Sequence, residues 1–241
     1  GEMATRRILD ARGQAGDGRG EGSTMRLIAF KPALWPVLLF LASSLLPAGC
    51  SVPRVIILHD PLTAEDHEQL GRIYEGQGKS DLAVVQYQEA VKKDRKRVSS
   101  LLLLGDLSFR ISDYVQAESA YRQAIDLDPG NGDVRNNLAW VYIRTGRKLE
   151  IATEHVIEAM KLNPAHRPFY LDTLGVILLK QGNAGDAVTA LKEAVATLPG
   201  DDRELLSQAQ GHLADACRAA GNDGCYYEAV KHQRDLFRKP D

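Results

Sequence analysis

The sequence predicts an all-α protein built as a solenoid of helix-turn-helix units, and three observations support this fold class. A leucine followed by a small residue recurs at intervals near 34 residues. Two alanines follow each such pair at helical spacing, and prolines close three of the four units. The composition, with 44% apolar and 26% charged residues, is near the globular average and argues against wholesale disorder and against a multi-span membrane protein.

The first segment, residues 1–24, contains four arginines among six glycines and no apolar periodicity. No core can form from such a sequence, so we interpret it as a disordered leader or as sequence upstream of the true start, which is Met3, Met25 or another residue.

Residues 25–49 have the composition of an export signal. Arg26 and Lys31 are basic, and a 14-residue, mostly apolar run from Ala33 to Leu46 follows them. A helix of that length is about 21 Å long, short of the roughly 30 Å hydrocarbon core of a bilayer. The segment therefore predicts a cleaved signal peptide and not a permanent span.

The stretch Leu46-Pro47-Ala48-Gly49-Cys50 resembles the lipobox of bacterial lipoproteins, with Pro47 as its one departure. The resemblance implies that Cys50 receives a diacylglyceryl group and further acyl chains such as palmitate, and two or more chains anchor a protein stably. Because Ser51 is not aspartate, it also implies sorting to the outer membrane, facing the periplasm. The alternative is an ordinary signal peptide in which the cysteine is incidental. Residues 50–63 then form a tether.

The repeated positions of the body are small or large in a fixed order. The leucine pairs are Leu70-Gly71, Leu104-Gly105, Leu138-Ala139 and Leu174-Gly175. The first alanines are Ala83, Ala117, Ala152 and Ala187, and the large residues are Tyr87, Tyr121, Val156 and Leu191. The second alanines are Ala90, Ala124, Ala159 and Ala194. Small residues allow two helices to approach closely, and we expect the large residues to fill the space between one helical pair and the next.

Turn residues complete each unit. Gly78, Gly146 and Gly182 predict the turns between paired helices. Prolines, which donate no amide hydrogen, predict the end of the second helix; they are Pro129, Pro164 and Pro199.

These residues and spacings resemble the tetratricopeptide repeat family. Four units match, at 64–97, 98–131, 132–167 and 168–201, and an atypical unit at 207–237 resembles a capping repeat of a domain spanning 64–241. The resemblance implies a right-handed superhelix whose units are stable only when stacked.

Catalytic motifs are absent from the sequence. Gly78-Lys79-Ser80 lacks the earlier glycine of a phosphate-binding loop, and His67-Glu68 has Gly71 where a metalloprotease needs its second histidine. With 30 basic and 32 acidic side chains, nothing points to nucleic acid. We therefore expect a non-enzymatic protein with no cofactor, metal or small-molecule substrate.

Two cysteines remain besides Cys50. An exported protein meets an oxidising compartment, so Cys217 and Cys225 are candidates for a disulfide. Two free thiols, or a zinc site with His212 and His232, are the alternatives.

By resemblance to the family, the first helices line a concave groove that binds a protein segment. The same positions in successive units place these residues there: Arg72, Leu102, Asp106, Phe109, Asn136, Trp140, Ile143, Phe169, Asp172, Val176 and Leu179, with Glu65, Glu68, Glu75, Ser99 and Asp133. Trp140 is the leading candidate for a binding hot spot, with burial against a neighbouring helix as its alternative. Glu68 and Leu102 do not match the basic clamp of family members that grip a terminal carboxylate.

The sequence thus predicts a lipid-anchored adaptor whose groove holds a peptide or helix of another cell-envelope component. The alternative is an accessory that localises or regulates an envelope enzyme such as a peptidase or cell-wall hydrolase.

Overall fold

The computed structural model describes residues 60–238, and this part of the chain is helical throughout its regular structure. Its ten α-helices are α1 (Ala64–Gly76), α2 (Ser80–Lys93), α3 (Val98–Arg110), α4 (Tyr114–Leu127), α5 (Gly132–Thr145), α6 (Leu149–Leu162), α7 (Arg167–Lys180), α8 (Ala184–Thr197), α9 (Arg203–Ala219) and α10 (Asp223–Asp235), with a 3₁₀ turn at Pro164–His166. Consecutive helices pack as five hairpins, and each hairpin packs on the next. The all-α solenoid predicted from the sequence is confirmed.

The helix starts follow from local side-chain chemistry. The Thr63 hydroxyl accepts a hydrogen bond from the amide of Asp66, and the Asp66 carboxylate accepts one from the amide of Thr63. Asp113 and Asn131 cap α4 and α5 in the same way with one side-chain oxygen each. These bonds satisfy amides that have no partner inside the helix.

The three predicted glycine turns are confirmed, and in the second unit a serine stands where the other units have glycine. Gly78, Gly146 and Gly182 have φ angles of 72°, 65° and 84°, the left-handed region that glycine adopts without strain. The second unit has no glycine at this position, and Ser112 adopts φ of 66° there. The prolines after α4, α6 and α8 also stand where those helices end.

The core is a row of small and large side chains between the helices. Tyr87, Tyr121, Val156 and Leu191 are at most 2% exposed, as are the alanines of the repeat. Three of the large residues fit over the glycine of their own hairpin, namely Tyr87 over Gly71, Tyr121 over Gly105 and Leu191 over Gly175. A Cβ on Gly71 would lie 2.3 Å from Cε1 of Tyr87. Glycine is therefore required at the closest approach of α1 and α2.

The fifth hairpin begins four residues before the predicted unit. Asp202 caps α9 by accepting a hydrogen bond from the amide of Leu205, so the helix starts at Arg203 and runs for 17 residues. Among residues 60–238, no helix is both long and apolar enough to cross a membrane.

Candidate protein-binding pocket

The first helices of the hairpins form the inner surface of the solenoid. Neighbouring first helices contact one another, from α1 with α3 to α7 with α9, whereas no two of the described second helices do so. The stack therefore curves towards the first helices. The faces of these helices that point away from the second helices line the concave side of the stack.

A pocket of about 230 Å³ opens on this side between α3 and α5. The residues that line it are Asp106, Phe109, Arg110, Tyr121, Asn137 and Trp140. Two aromatic side chains, one from each helix, thus share a hollow with a carboxylate.

The carboxylate of Asp106 is held by two hydrogen bonds to the same oxygen. The Tyr121 hydroxyl donates to Oδ1 over 2.7 Å, and Nδ2 of Asn137 donates to it over 3.3 Å. Burial and the charge of Asp106 raise the pKa of Tyr121, so the tyrosine stays a donor. Within residues 60–238, Asp106 forms no ion pair and its Oδ2 accepts no hydrogen bond.

Each aromatic wall contacts a second aromatic ring. Phe109 packs edge-on against Tyr114, with ring centroids 5.7 Å apart. Trp140 meets His212 of α9, with centroids 6.0 Å apart. Both walls are half-buried, so each keeps a face for contact while its position is restricted.

Arg110 also lines the pocket, but its guanidinium is paired. Its Nη2 donates to the Glu75 carboxylate, which also accepts a hydrogen bond of 2.8 Å from the Tyr87 hydroxyl. Burial by itself would raise the pKa of Glu75, and these two hydrogen bonds outweigh it and lower the pKa below the usual carboxyl value. Glu75 is therefore charged at neutral pH and offsets the charge of Arg110.

Two groove positions beyond Trp140 are largely covered by neighbouring residues. Nδ1 of His212 lies 2.9 Å from Oδ1 of Asp172, and this pair joins α9 to α7. Asp172 is 7% exposed and Val176 is 9% exposed. Asp172 and Val176 therefore offer little surface to a partner.

Sequence comparison identifies the repeating unit. Residues 68–132 match one profile of the tetratricopeptide repeat, and residues 120–152 match a second profile of the same repeat. Residues 68–152 are tetratricopeptide repeats.

A curated relative carries the same repeats. The chain is 29% identical over 120 residues to a tetratricopeptide repeat-containing protein of Pseudomonas aeruginosa. The match takes in 50% of this chain and 20% of that protein, so the chain spans about one fifth of the relative's length.

Solved structures share the tetratricopeptide fold at low sequence identity. MamA is 19% identical with a TM-score of 0.58, over 69% of this chain and 94% of its own. PilW, described as a widely conserved type IV pilus biogenesis factor, is 20% identical with a TM-score of 0.64, over 74% and 79%. YrrB, described as having an unusual peptide-binding site, is 16% identical with a TM-score of 0.54, over 72% and 86%. These likenesses concern the fold alone.

The tetratricopeptide register places three of the predicted groove residues in the pocket, namely Asp106, Phe109 and Trp140. Five others lie outside its lining and are exposed or half-buried, namely Arg72, Leu102, Asn136, Phe169 and Leu179. The Asn136 Oδ1 is buried without a hydrogen-bond partner among the described residues.

Three predicted groove residues are buried and offer little surface to a partner. Ile143 is 2% exposed, and it joins Val176 in the largest apolar cluster. Their helices, α5 and α7, each contact a first helix on both sides, and Ile143 and Val176 face the core. The carboxylate of Asp172 is occupied by His212. The low exposure of these three residues gives no support to their predicted place in the groove.

The side chain of Glu68 is also buried and offers little surface to the groove. It is 6% exposed and accepts hydrogen bonds of 2.7 Å from Nε of Arg97 and from the Ser99 hydroxyl, and one from Ser100. Its charge therefore joins the first tetratricopeptide unit to the second and is not available to a ligand.

Tyr121, Asn137 and Arg110 were missed by the sequence argument. Asn137 follows the predicted Asn136, and a small rotation of the helix decides which of the two faces the pocket. The spacing of the repeat predicted a packing role alone for Tyr121, although this residue also lines the pocket. Arg110 stands next to Phe109 and could be found only by including the last turn of α3.

Cys217 and Cys225 lie together in the fifth hairpin. Their Cα atoms are 5.7 Å apart and both side chains are buried, a separation typical of disulfides. The alternative zinc site has no support in the described part of the chain, where no three or more histidine, cysteine or acidic side chains are arranged to hold a metal ion. Oxidation of the pair stays a prediction.

Two further hollows of about 370 Å³ lie elsewhere. One is bounded by α8, α9 and α10 around Gln210, and the other lies between α2 and α4 around Val115. Neither combines aromatic walls with an unpaired charge. The predicted signal peptide, the lipidation site Cys50 and most of the tether fall outside the described residues.

Proposed function

We propose that this protein is a non-catalytic adaptor that binds a segment of another protein in the pocket between α3 and α5. The observation that carries the proposal is that Phe109 and Trp140 line one pocket together with Asp106. Half-buried aromatic side chains on a rigid support lose little entropy on binding and contribute large contact area. A helix or an extended segment with an anchoring side chain suits a hollow of this size.

We further propose that the adaptor is lipid-anchored at Cys50 on the periplasmic face of a bacterial outer membrane. The support is the sequence of residues 25–50 and its likeness to the lipobox. A membrane anchor would hold the groove close to an envelope machine, which makes a component of that machine the expected partner. Removing residues 1–49 leaves 24 basic and 28 acidic side chains, a net charge of −4.

Site-specific photo-crosslinking in the full-length protein tests the groove. A photoreactive residue at Asn137 should form an adduct with a partner in source cells. One at Val115, which is 76% exposed on the second helix α4, should not form that adduct. Trp140→Ala should remove the Asn137 adduct while circular dichroism shows an unchanged helix content. An adduct at Val115 alone, or none at Asn137, would contradict the adaptor proposal.

The anchor has a separate test. Cells grown with an alkyne fatty acid should label the wild-type protein and leave the Cys50→Ala variant unlabelled and released from carbonate-washed membranes. A Cys217→Ala, Cys225→Ala double variant serves as the matched control and should keep both label and membrane association. Retention of Cys50→Ala in the washed membranes rules out the lipid anchor.

A further inference from the structure

We propose that the pocket between α3 and α5 receives a lysine or arginine side chain of the partner segment. This inference rests on the proposed function and adds the chemistry of the anchoring residue. A cation would lie between Phe109 and Trp140 with its charge directed at Asp106. The partner is then a segment that carries a basic side chain.

The carboxylate of Asp106 is held in place and has no cationic partner among the described residues. Tyr121 and Asn137 both donate to Oδ1 of Asp106, so the group is oriented before any ligand arrives. Both donors are neutral, and Asp106 has no cationic partner within residues 60–238. Its negative charge is thus uncompensated, and Oδ2 is left to accept a hydrogen bond from an ammonium or guanidinium group.

The aromatic walls Phe109 and Trp140 also favour a cationic side chain. The faces of phenyl and indole rings carry negative potential and attract cations placed over them. Tryptophan is the residue type with the strongest such attraction, and the half-buried Trp140 packs against His212 and the apolar core while it also lines the pocket. A lysine or arginine stem also has methylene groups that pack well against aromatic rings.

Arg110 is the one basic group in the lining, and it does not cancel this attraction. Its guanidinium donates to Glu75, which is held charged by that bond and by Tyr87. Glu75 is also close to the charge of Arg72, so Asp106 is the acidic group of this cluster that has no cationic partner in the described part of the chain. An acidic partner side chain would have to approach Asp106 while competing with Glu75 for Arg110, so the geometry favours a cation.

Blocked tripeptides provide a direct test, with Trp140 as the reporter. The protein has two tryptophans, Trp35 and Trp140, so a Trp35→Phe background makes the fluorescence specific for the pocket. The probes are acetyl-Ala-X-Ala-amide, where X is arginine, lysine, citrulline, norleucine or glutamate. The arginine peptide should bind about fivefold more tightly than the citrulline peptide, which has nearly the same shape without the charge.

Variants assign the preference to named groups. Asp106→Asn should reduce the arginine-to-citrulline ratio to about one, whereas Asp126→Asn, which removes an exposed acid from α4, should leave the ratio unchanged. Arg110→Gln should raise the affinity of the arginine peptide, because it removes a nearby positive charge. Thermal unfolding confirms that each variant is folded.

Three results would overturn the inference. They are equal binding of the arginine, citrulline and norleucine peptides, tighter binding of the glutamate peptide, or no Trp140 response to any peptide. Each can occur while the Asn137 crosslink persists, in which case the adaptor function stands and only the cationic anchor fails. Loss of the crosslink together with selective arginine binding would instead remove the adaptor function.

Discussion

His212 and Asp172 join the last two hairpins through a contact that spans 40 positions of the chain. Nδ1 of His212 lies 2.9 Å and 3.0 Å from the two carboxylate oxygens of Asp172, whose side chain is 10% exposed. An ionised carboxylate can accept hydrogen bonds but cannot donate them. Nδ1 of His212 therefore carries the proton in this contact. The same histidine ring contacts Trp140, with ring centroids 6.0 Å apart. The atypical fifth hairpin therefore both completes the fold and positions the pocket wall.

Replacing His212 should destabilise the protein and disturb the pocket together. His212→Ala leaves the buried Asp172 carboxylate without its donor, which should lower the free energy of unfolding by about 1–3 kcal/mol. Urea unfolding measures this loss, and Trp140 emission in the Trp35→Phe background should shift at the same time. The control is His232→Ala, an exposed histidine of α10. Equal losses for both variants would show that the Asp172 contact contributes nothing.

Adding a methyl group at Gly71 should be far more costly than at an open glycine. The new Cβ would lie 2.3 Å from the Tyr87 ring, and the helices must separate to admit it. We expect Gly71→Ala to lower the free energy of unfolding by about 1–3 kcal/mol. Gly185→Ala is the matched control, because no atom lies within 4 Å of its Cβ position, and it should be neutral or slightly stabilising. A tolerant Gly71 would mean that the hairpin packing is loose.

Acid should weaken the junction between the first two hairpins through Glu68. Burial by itself would raise the pKa of Glu68, but hydrogen bonds from Arg97, Ser100 and Ser99 outweigh it and lower the pKa below its ordinary value of 4.5. A carboxyl with a lower pKa in the folded state stabilises the fold above the unfolded-state pKa. That contribution is lost as the pH falls from about 4.5 through the folded-state value.

The measurement is urea unfolding from pH 7 to pH 3. Glu68→Gln should cost about 1–3 kcal/mol at pH 7 and flatten the fall in stability below pH 4.5, because the group no longer titrates. Glu65→Gln, at an exposed position of the same helix, is the control and should keep the wild-type slope. A wild-type slope in Glu68→Gln contradicts the assignment.

The cysteine pair should be oxidised in the exported protein. Non-reducing mass measurement with a thiol label is expected to find Cys217 and Cys225 unlabelled. On the chain-entropy account, closing the loop between them stabilises the fold by about 2.5 kcal/mol, so reduction should lower the thermal midpoint. Two labelled thiols would disprove the disulfide, and an unchanged midpoint on reduction would disprove its stabilising role.

Much of the fold could be read from the period of small residues. Leu70-Gly71 and its equivalents predicted the hairpins because a glycine or alanine at a helix crossing is demanded by the geometry of every unit. The groove was harder to predict, because the same position in each unit meets different neighbours. Trp140 lines the pocket, whereas Val176, at the same position of the next unit, is 9% exposed and packs in the apolar core.

By itself, the sequence determined the class of structure, since local spacing, turn residues and caps act within a single hairpin. It also predicted an export signal and a lipid-attachment cysteine. The tertiary structure decided which part of the concave face is open. That depends on contacts such as Tyr121 with Asp106 and His212 with Trp140, and the curvature of the stack brings the second pair together from hairpins that are not adjacent. Distances across the stack depend on how the hairpins pack, a property that no single repeat contains.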